Sequence, residues 1–195
     1  MDMVIKEIKD EAIAGNIPIV LDDTIDFIRK FIEEQEIKNI LEIGTAVGYS
    51  AIMMASLNDD IRVITIERDE ERYFKALENI KKVGLEDRIT LIYKDALDVS
   101  LEGPFDMIFL DAAKSQNIKF FNKFGLALKP HGFIITDNLN FHGYVDKDPE
   151  EIESKNIRGI VKKTQEFKQF LIENERYETM FYDIGDGISI SEKVV

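Results

Sequence analysis

The chain has no cysteine among its 195 residues. A disulfide, a thiolate metal site and a cysteine nucleophile are therefore excluded. It also lacks any apolar run approaching the roughly 20 residues of a membrane span. Its opening stretch, "MDMVIKEIKDEAIAGN", is charged and interrupted by polar side chains. That is not the pattern of a signal peptide, and a soluble cytoplasmic protein is the expectation. No repeat, low-complexity tract or Pro/Gly-rich linker divides the sequence. Positive charge is scarce: 25 Lys and Arg stand against 38 Asp and Glu, for a formal net charge of -13. The mean field repels polyanions, so a nucleic-acid partner would need a local basic patch. What the chain does have is apolar residues, at 45%, enough for one globular domain with a sizeable core.

Short apolar runs alternate with amphipathic stretches. "NILEIG", "RVITIER", "ITLIYKD", "FDMIFLD" and "GFIITDN" are strand-like. Between them "YSAIMMASLN", "DEERYFKALENIKKVG" (with Gly84 as a stop) and "QNIKFFNKFGLAL" have helical periodicity. Strands alternating with helices imply right-handed crossovers and a parallel sheet covered on both faces. The end differs. "ETMFYDI" and "GISISEK" flank Gly185-Asp186-Gly187, a turn signal that predicts an antiparallel hairpin at the sheet edge. The segment "DPEEIESKNIRGIVKKTQEFKQFLIENE" before it reads as one long amphipathic helix.

In "LEIGTAVGYS" a strand passes into a helix through Gly44 and Gly48. Gly44 permits a tight turn and close approach of a ligand to the backbone. Thr45 and Ser50 offer hydroxyls near the helix start. Glu67 closes the next strand 23 residues after Gly44, near the roughly 20 expected of a carboxylate that grips ribose hydroxyls. The dinucleotide fingerprint G-x-G-x-x-G is not met, because Ala46 and Tyr49 or Ser50 stand where it wants glycine. Glu42, just before the turn, would repel a phosphate but suits a cationic amino acid. The pattern therefore favours S-adenosylmethionine over NAD. Asp95 and Ala96 end the third strand, where adenine would lie. Tyr49 and Arg68 complete the candidate cofactor set, to which Asp111 also belongs. The alternative is a plain strand–helix turn with incidental glycines.

Asp111 closes the fourth strand, and Asp137-Asn138 closes the fifth. Neighbouring parallel strands put their ends roughly 5 Å apart, so two carboxylates and an amide oxygen would converge. A hard divalent cation, Mg²⁺ or Mn²⁺, relieves their repulsion. The bland alternative is that these side chains cap the following turns. Lys114, three residues beyond Asp111, would have its protonated form disfavoured beside a cation, and could accept a proton from a metal-bound hydroxyl; the alternative is a solvated surface lysine. Lys155, Arg158 and Lys162 recur at helical spacing in an otherwise acidic protein. Charge alone leaves two readings open: a face that binds RNA phosphates, or a solvated face balanced by Glu151, Glu153 and Glu166. Phe141, His142 and Tyr144, just after the fifth strand, could stack on an unstacked base, with core packing the equal alternative for Phe141.

The stretches "LEIGTAVGYSAI", "VITIERDEER", "DRITLIYKDAL", "FDMIFLDAAKSQ" and "GFIITDN" resemble the cation-dependent O-methyltransferases related to catechol and caffeoyl-CoA methyltransferases, across most of residues 38 to 145. "IERDEER", "IESKNIRGIVKK" and "YETMFYDIGDGISIS" are most similar to the bacterial tRNA methyltransferases that act on wobble 5-hydroxyuridine. The resemblance implies a single α/β domain over residues 1–195, with residues 1–35 as an N-terminal helical lid region. The implied fold is Rossmann-like, of the class I methyltransferases: a seven-stranded, mostly parallel sheet with a C-terminal antiparallel hairpin and helices on both faces. It implies Asp111, Asp137 and Asn138 as metal ligands, Lys114 as the base, Glu67 as the ribose carboxylate, and contacts to the methionine end near Glu42, Gly44 and Ser50. A homodimer acting on the tRNA anticodon loop, with Lys155, Arg158, Lys162 and His142 at the substrate, is the expected assembly. Methylation of small catechol-like phenols would use the same catalytic residues. A non-catalytic cofactor-binding module is the alternative of another class.

Overall fold

The computed structural model describes residues 1–112, 114–141 and 143–194. The chain forms two compact units, Met1–Leu101 and Glu102–Val195.

The first unit contains helices α1 (Asp2–Ala14) and α2 (Asp22–Glu34). It continues with β1 (Asn39–Ile43), α3 (Tyr49–Ala55), β2 (Arg62–Glu67), α4 (Glu70–Val83) and β3 (Ile89–Tyr93). β2 pairs in parallel with both β1 and β3. In β1 every residue after Asn39 is buried, as a parallel strand covered on both faces requires. α4 has well-formed ends. The Asp69 side chain accepts a bond from the Arg72 N–H at its start, and Gly84 closes it in the left-handed region at φ 70°. α1 buries Ile5, Ile8 and Ala12. Two ion pairs add to that anchorage: Lys9 with Asp22 at 2.6 Å and Glu11 with Lys75 at 2.7 Å.

The second unit contains β4 (Phe105–Leu110), α5 (Asn117–Phe124), β5 (Leu128–Thr136), α6 (Lys155–Glu173), β6 (Tyr177–Tyr182) and β7 (Ile188–Lys193). β4 and β5 are parallel, while β7 lies antiparallel between β5 and β6. Phe121 of α5 packs edge-on against Phe167 and Phe170 of α6 and against Tyr177 of β6, with centroids 6.1, 5.4 and 4.7 Å away. This aromatic cluster fixes the helices to the strands. The sheet is seven-stranded and mostly parallel with antiparallel C-terminal strands, the fold class expected from the sequence.

Two boundaries differ from expectation. The helix expected from Asp148 onward begins only at Lys155, after the Ser154 cap. Asp148 instead caps a 3₁₀ turn at Pro149–Glu151. Proline disfavours helix in the residue before it, and Ile152 is drawn into the core at 5% exposure. The helix expected to run through "FGLAL" stops at Phe124, and Leu128 starts β5 four residues before Gly132. Leu128 pairs with Phe105 across a register shift, so β5 includes Pro130 and Gly132 as an irregularity.

Candidate active site

The glycine turn of the first unit follows β1. Gly44, Ala46 and Gly48 all have positive φ, at 99°, 46° and 85°. Gly48 is favoured by its left-handed φ, and a Cβ there would lie in contact with that of Ala76 on α4, at 3.4 Å. Beneath the turn lies a buried polar network. Glu42 is 0% exposed; one carboxylate oxygen accepts from the Ser50 hydroxyl and the other from Thr65 Oγ1 at 2.5 Å. Thr65 in turn meets Thr45 Oγ1 at 2.5 Å. Both Glu42 oxygens are thus held by hydroxyls below the turn. Glu42, expected to meet a ligand's amino group, thus also shapes the turn through these hydroxyls, and Thr45 and Ser50 are engaged with the same network.

Glu67 ends β2 at 7% exposure. Its Oε2 accepts the Ala46 N–H at 2.8 Å, and its Oε1 accepts those of Arg68 and Asp69 at 2.9 Å each. Three of the carboxylate's about four acceptor sites are used, which leaves capacity for one hydroxyl. Asp95 receives the Leu97 N–H at 2.9 Å and an ion pair from Arg68 at 3.3 Å; Ala96 beside it is buried. Tyr49, the first residue of α3, is 5% exposed, and burial pushes its phenol pKa up. Asn79 was not singled out by sequence. It is fully buried on α4, and its Nδ2 holds the Val47 carbonyl of the turn at 2.9 Å. Its signal was a polar residue within the buried stripe of Ala76, Ile80 and Val83.

The acidic strand ends of the second unit do converge. Asp111 directly follows β4, and Asp137 and Asn138 directly follow β5. Asn138 Nδ2 donates to Asp111 Oδ1 at 3.1 Å, and the Asn138 N–H donates to Asp137 Oδ1 at 2.6 Å. Asn138 takes a left-handed φ of 64° to do so, a conformation that asparagine tolerates better than most residues. Asp137 is 4% exposed. Burial, and then the Asp111 charge, push its pKa up to about 7, against the Asn138 bond and Lys114. Burial likewise raises Asp111, opposed by Lys114 and by the Asn138 bond. Burial lowers Lys114 despite the carboxylates around it. Negative charge is therefore crowded at these strand ends. Among the described residues no three acidic or histidine side chains cluster closely enough to hold a metal. The candidate set is two carboxylates and one amide, all oxygen donors of the kind a hard cation takes.

Lys114 Nζ lies 5.9 Å from the Phe141 ring centroid. Phe141 and Tyr144 rings are 6.2 Å apart, and Lys147 lies 4.7 Å over Tyr144. Gln165 of α6 holds this loop through the Val145 and Lys147 carbonyls, at 2.8 and 3.3 Å. His142 lies outside the described residues. Arg158, expected at the substrate, donates through Nε and Nη2 to the Ile152 carbonyl, at 3.1 and 2.7 Å, so it also braces the turn before α6. Lys155 and Lys162 are exposed, and Lys163 pairs with Glu166 at 2.6 Å.

A strand–glycine-turn–helix unit followed by acidic strand ends defines a class I methyltransferase. The chain belongs to the O-methyltransferase family, whose description matches residues 2–194. A candidate caffeoyl-CoA O-methyltransferase of Arabidopsis thaliana is 33% identical over 175 residues, covering 87% of this chain and 75% of that protein. The caffeoyl-CoA O-methyltransferase of Populus kitakamiensis is 28% identical, covering 86% and 75%. Among solved structures, a candidate caffeoyl-CoA O-methyltransferase from Staphylococcus aureus superposes with TM-score 0.93 at 41% identity, covering 97% of this chain and 91% of that one. An O-methyltransferase from Bacillus cereus in complex with SAH gives 0.84 at 29%, covering 99% and 91%.

Proposed function

We propose that this O-methyltransferase uses S-adenosylmethionine and a divalent cation, Mg²⁺ or Mn²⁺, to methylate one of two adjacent oxygens on a planar acceptor. The observation that supports it best is the convergence of Asp111, Asp137, Asn138 and Lys114 at the strand ends of the second unit. Two carboxylates whose pKa values burial raises, Asp137 further through the Asp111 charge, form a site short of positive charge, and their oxygens suit a hard cation. Asp111, Asp137 and Asn138 would hold it, the asparagine through its amide oxygen. When bound, the cation would lower the pKa of an acceptor hydroxyl and S-adenosylmethionine would supply the methyl group. Lys114, whose ammonium burial disfavours, would take the hydroxyl proton at Nζ. Glu67 has capacity left for a ribose hydroxyl, and the Glu42–Ser50–Thr65–Thr45 network keeps the glycine turn in place.

The acceptor we propose is 5-hydroxyuridine at the tRNA wobble position, whose O4 and O5 are adjacent. The aromatic pair Phe141–Tyr144 with its two lysines, and the exposed Lys155 and Lys162, suit a stacked base and nearby phosphates. A small catechol is the second reading, favoured by the caffeoyl-CoA relatives. Labelled S-adenosylmethionine supplied with hydroxyuridine-containing tRNA, and separately with catechols, separates the two. Label in tRNA supports the first reading, and label in catechols alone sinks it. Full transfer in EDTA would show that the strand-end oxygens are only caps.

A further inference from the structure

The antiparallel pairing of β5 with β7 reaches Thr136 opposite Ser189. It then continues past the strands: the Leu139 N–H donates to the Gly187 carbonyl and the Asn140 N–H to the Asp186 carbonyl, at 2.8 Å each. Gly187 makes the approach possible. Its φ is +79°, and a Cβ there would lie 2.5 Å from Asn140 Cγ. This seam, which starts one residue beyond Asn138, backs a cavity of about 330 Å³ within the second unit. Asp146, Lys168 of α6, Phe181 and Asp183 line it as well. Phe181 keeps 39% exposure near the end of β6, the outermost strand. The Lys168 ammonium lies 5.7 Å from the Phe181 ring centroid. Two carboxylates share the cavity with it, yet among the described residues Lys168 closes an ion pair with neither. Asp183 accepts only the Asn140 amide, at 3.2 Å.

We propose that this cavity is a second nucleotide subsite, which takes an unstacked base next in the RNA to the one being methylated. The inference rests on the RNA reading given above. Opposite charges that share a recess without closing on each other suit a ligand that carries both donors and an anion. A nucleotide does so. Its base has a flat face for the Phe181 ring and N–H groups on its edge for the carboxylates, and its phosphate meets Lys168. A small catechol has a face and hydroxyls but no anion for the lysine. The volume is near the lower end of the roughly 300–1,000 Å³ usual for ligand sites, which is room for one ring system and not for a longer segment. Asp146 and Asp183 are exposed, so their repulsion of the phosphate is screened by salt. One phosphate held here agrees with the small footprint that an acidic protein imposes.

The test is binding of an anticodon stem-loop RNA with plain uridine at the wobble position, so that no turnover is needed. Filter retention across a salt series reads both affinity and slope. Phe181→Leu keeps the apolar bulk and removes the ring face, and should weaken binding about 5- to 100-fold, the range of base–aromatic stacking. Phe181→Tyr keeps the ring and should bind as the wild type does. Lys168→Met should flatten the salt slope by about 0.7, one phosphate on a single strand. Wild-type affinity in Phe181→Leu would overturn the inference. So would an equal loss in both Phe181 variants, or an unchanged slope in Lys168→Met. A wild-type protein that binds no stem-loop would overturn the RNA reading and this inference with it. Labelling of tRNA by the wild type, together with normal stem-loop binding by Phe181→Leu, would sink the subsite alone.

Discussion

Glu67 does two jobs with one carboxylate. It receives three backbone N–H groups and so ties the end of β2 to the glycine turn, and the acceptor capacity left is what we propose for a ribose hydroxyl. Glu67→Gln replaces one oxygen by a donor, so either the Ala46 bond or the Arg68 and Asp69 bonds must be lost. A lost charge-assisted bond is worth about 1.5–3 kcal/mol, so affinity for S-adenosylmethionine should fall about 10- to 100-fold by calorimetry. Lys114→Met removes the proposed base. Its kcat should drop about 10²- to 10⁴-fold, while calorimetric binding of S-adenosylmethionine stays near wild type; an unchanged kcat would remove Lys114 from the chemistry. Glu42 shows what local reading leaves out. An acid before a glycine turn reads as a ligand contact, and in a parallel strand covered on both faces the alternation of side chains does not separate solvent from core. The hydroxyls that surround it come from residues 45, 50 and 65, and only folding brings them together.

Among the secondary-structure elements, α1 and the β6–β7 turn carry separate predictions. α1 is held by buried apolar side chains and by two ion pairs at the surface. Ile8, 2% exposed, should cost about 2–5 kcal/mol when truncated to Ala, read by denaturant unfolding. The Glu11–Lys75 pair should matter far less. Glu11 has its pKa lowered chiefly by the Lys75 bond, and Lys75 has its own raised chiefly by the same bond. Whatever the pair contributes is present above the ordinary Glu value of 4.5 and lost as pH falls through the lowered one. At the other end it is present below 10.5 and lost as pH rises through the raised Lys75 value. Lys75→Ala should accordingly melt close to wild type at neutral pH, and the small difference should vanish in acid. In the turn, Gly187→Ala must accept a left-handed φ and a contact with Asn140. A loss of about 1–3 kcal/mol is expected, with weaker Mn²⁺ binding, because the segment after Asn138 is displaced.

For the chain taken entire, the net charge of -13 restricts any RNA contact to a small footprint. Salt dependence of tRNA binding should be shallow, with a slope of about −0.7 per phosphate neutralised on single strands. Arg158 also braces the Ile152 carbonyl, so the charges to remove without disturbing that turn are Lys155 and Lys162. Replacing both by Ala should weaken tRNA methylation and spare a small catechol. Normal tRNA methylation by that double variant would take the basic helix out of the mechanism.

The alternation of apolar runs and amphipathic stretches was enough to determine the strands, their mostly parallel order and the closing hairpin, because period and punctuation are local properties. Asp111, Asp137 and Asn138 were legible for the same reason: a carboxylate or amide directly after a strand sits at the sheet's edge wherever the rest of the chain goes. Tertiary structure alone decided which of the remaining polar groups face inward. Asp186 reads locally as a solvated turn and is buried by bonds to Leu139 and Asn140, more than forty residues earlier. Arg158 reads as a surface cation and also donates to the carbonyl of Ile152, which follows the Pro149 turn. Asn79 reads as an ordinary helix residue and holds the glycine turn from α4. Burial of a polar side chain depends on partners distant in sequence, and a local pattern carries no record of them.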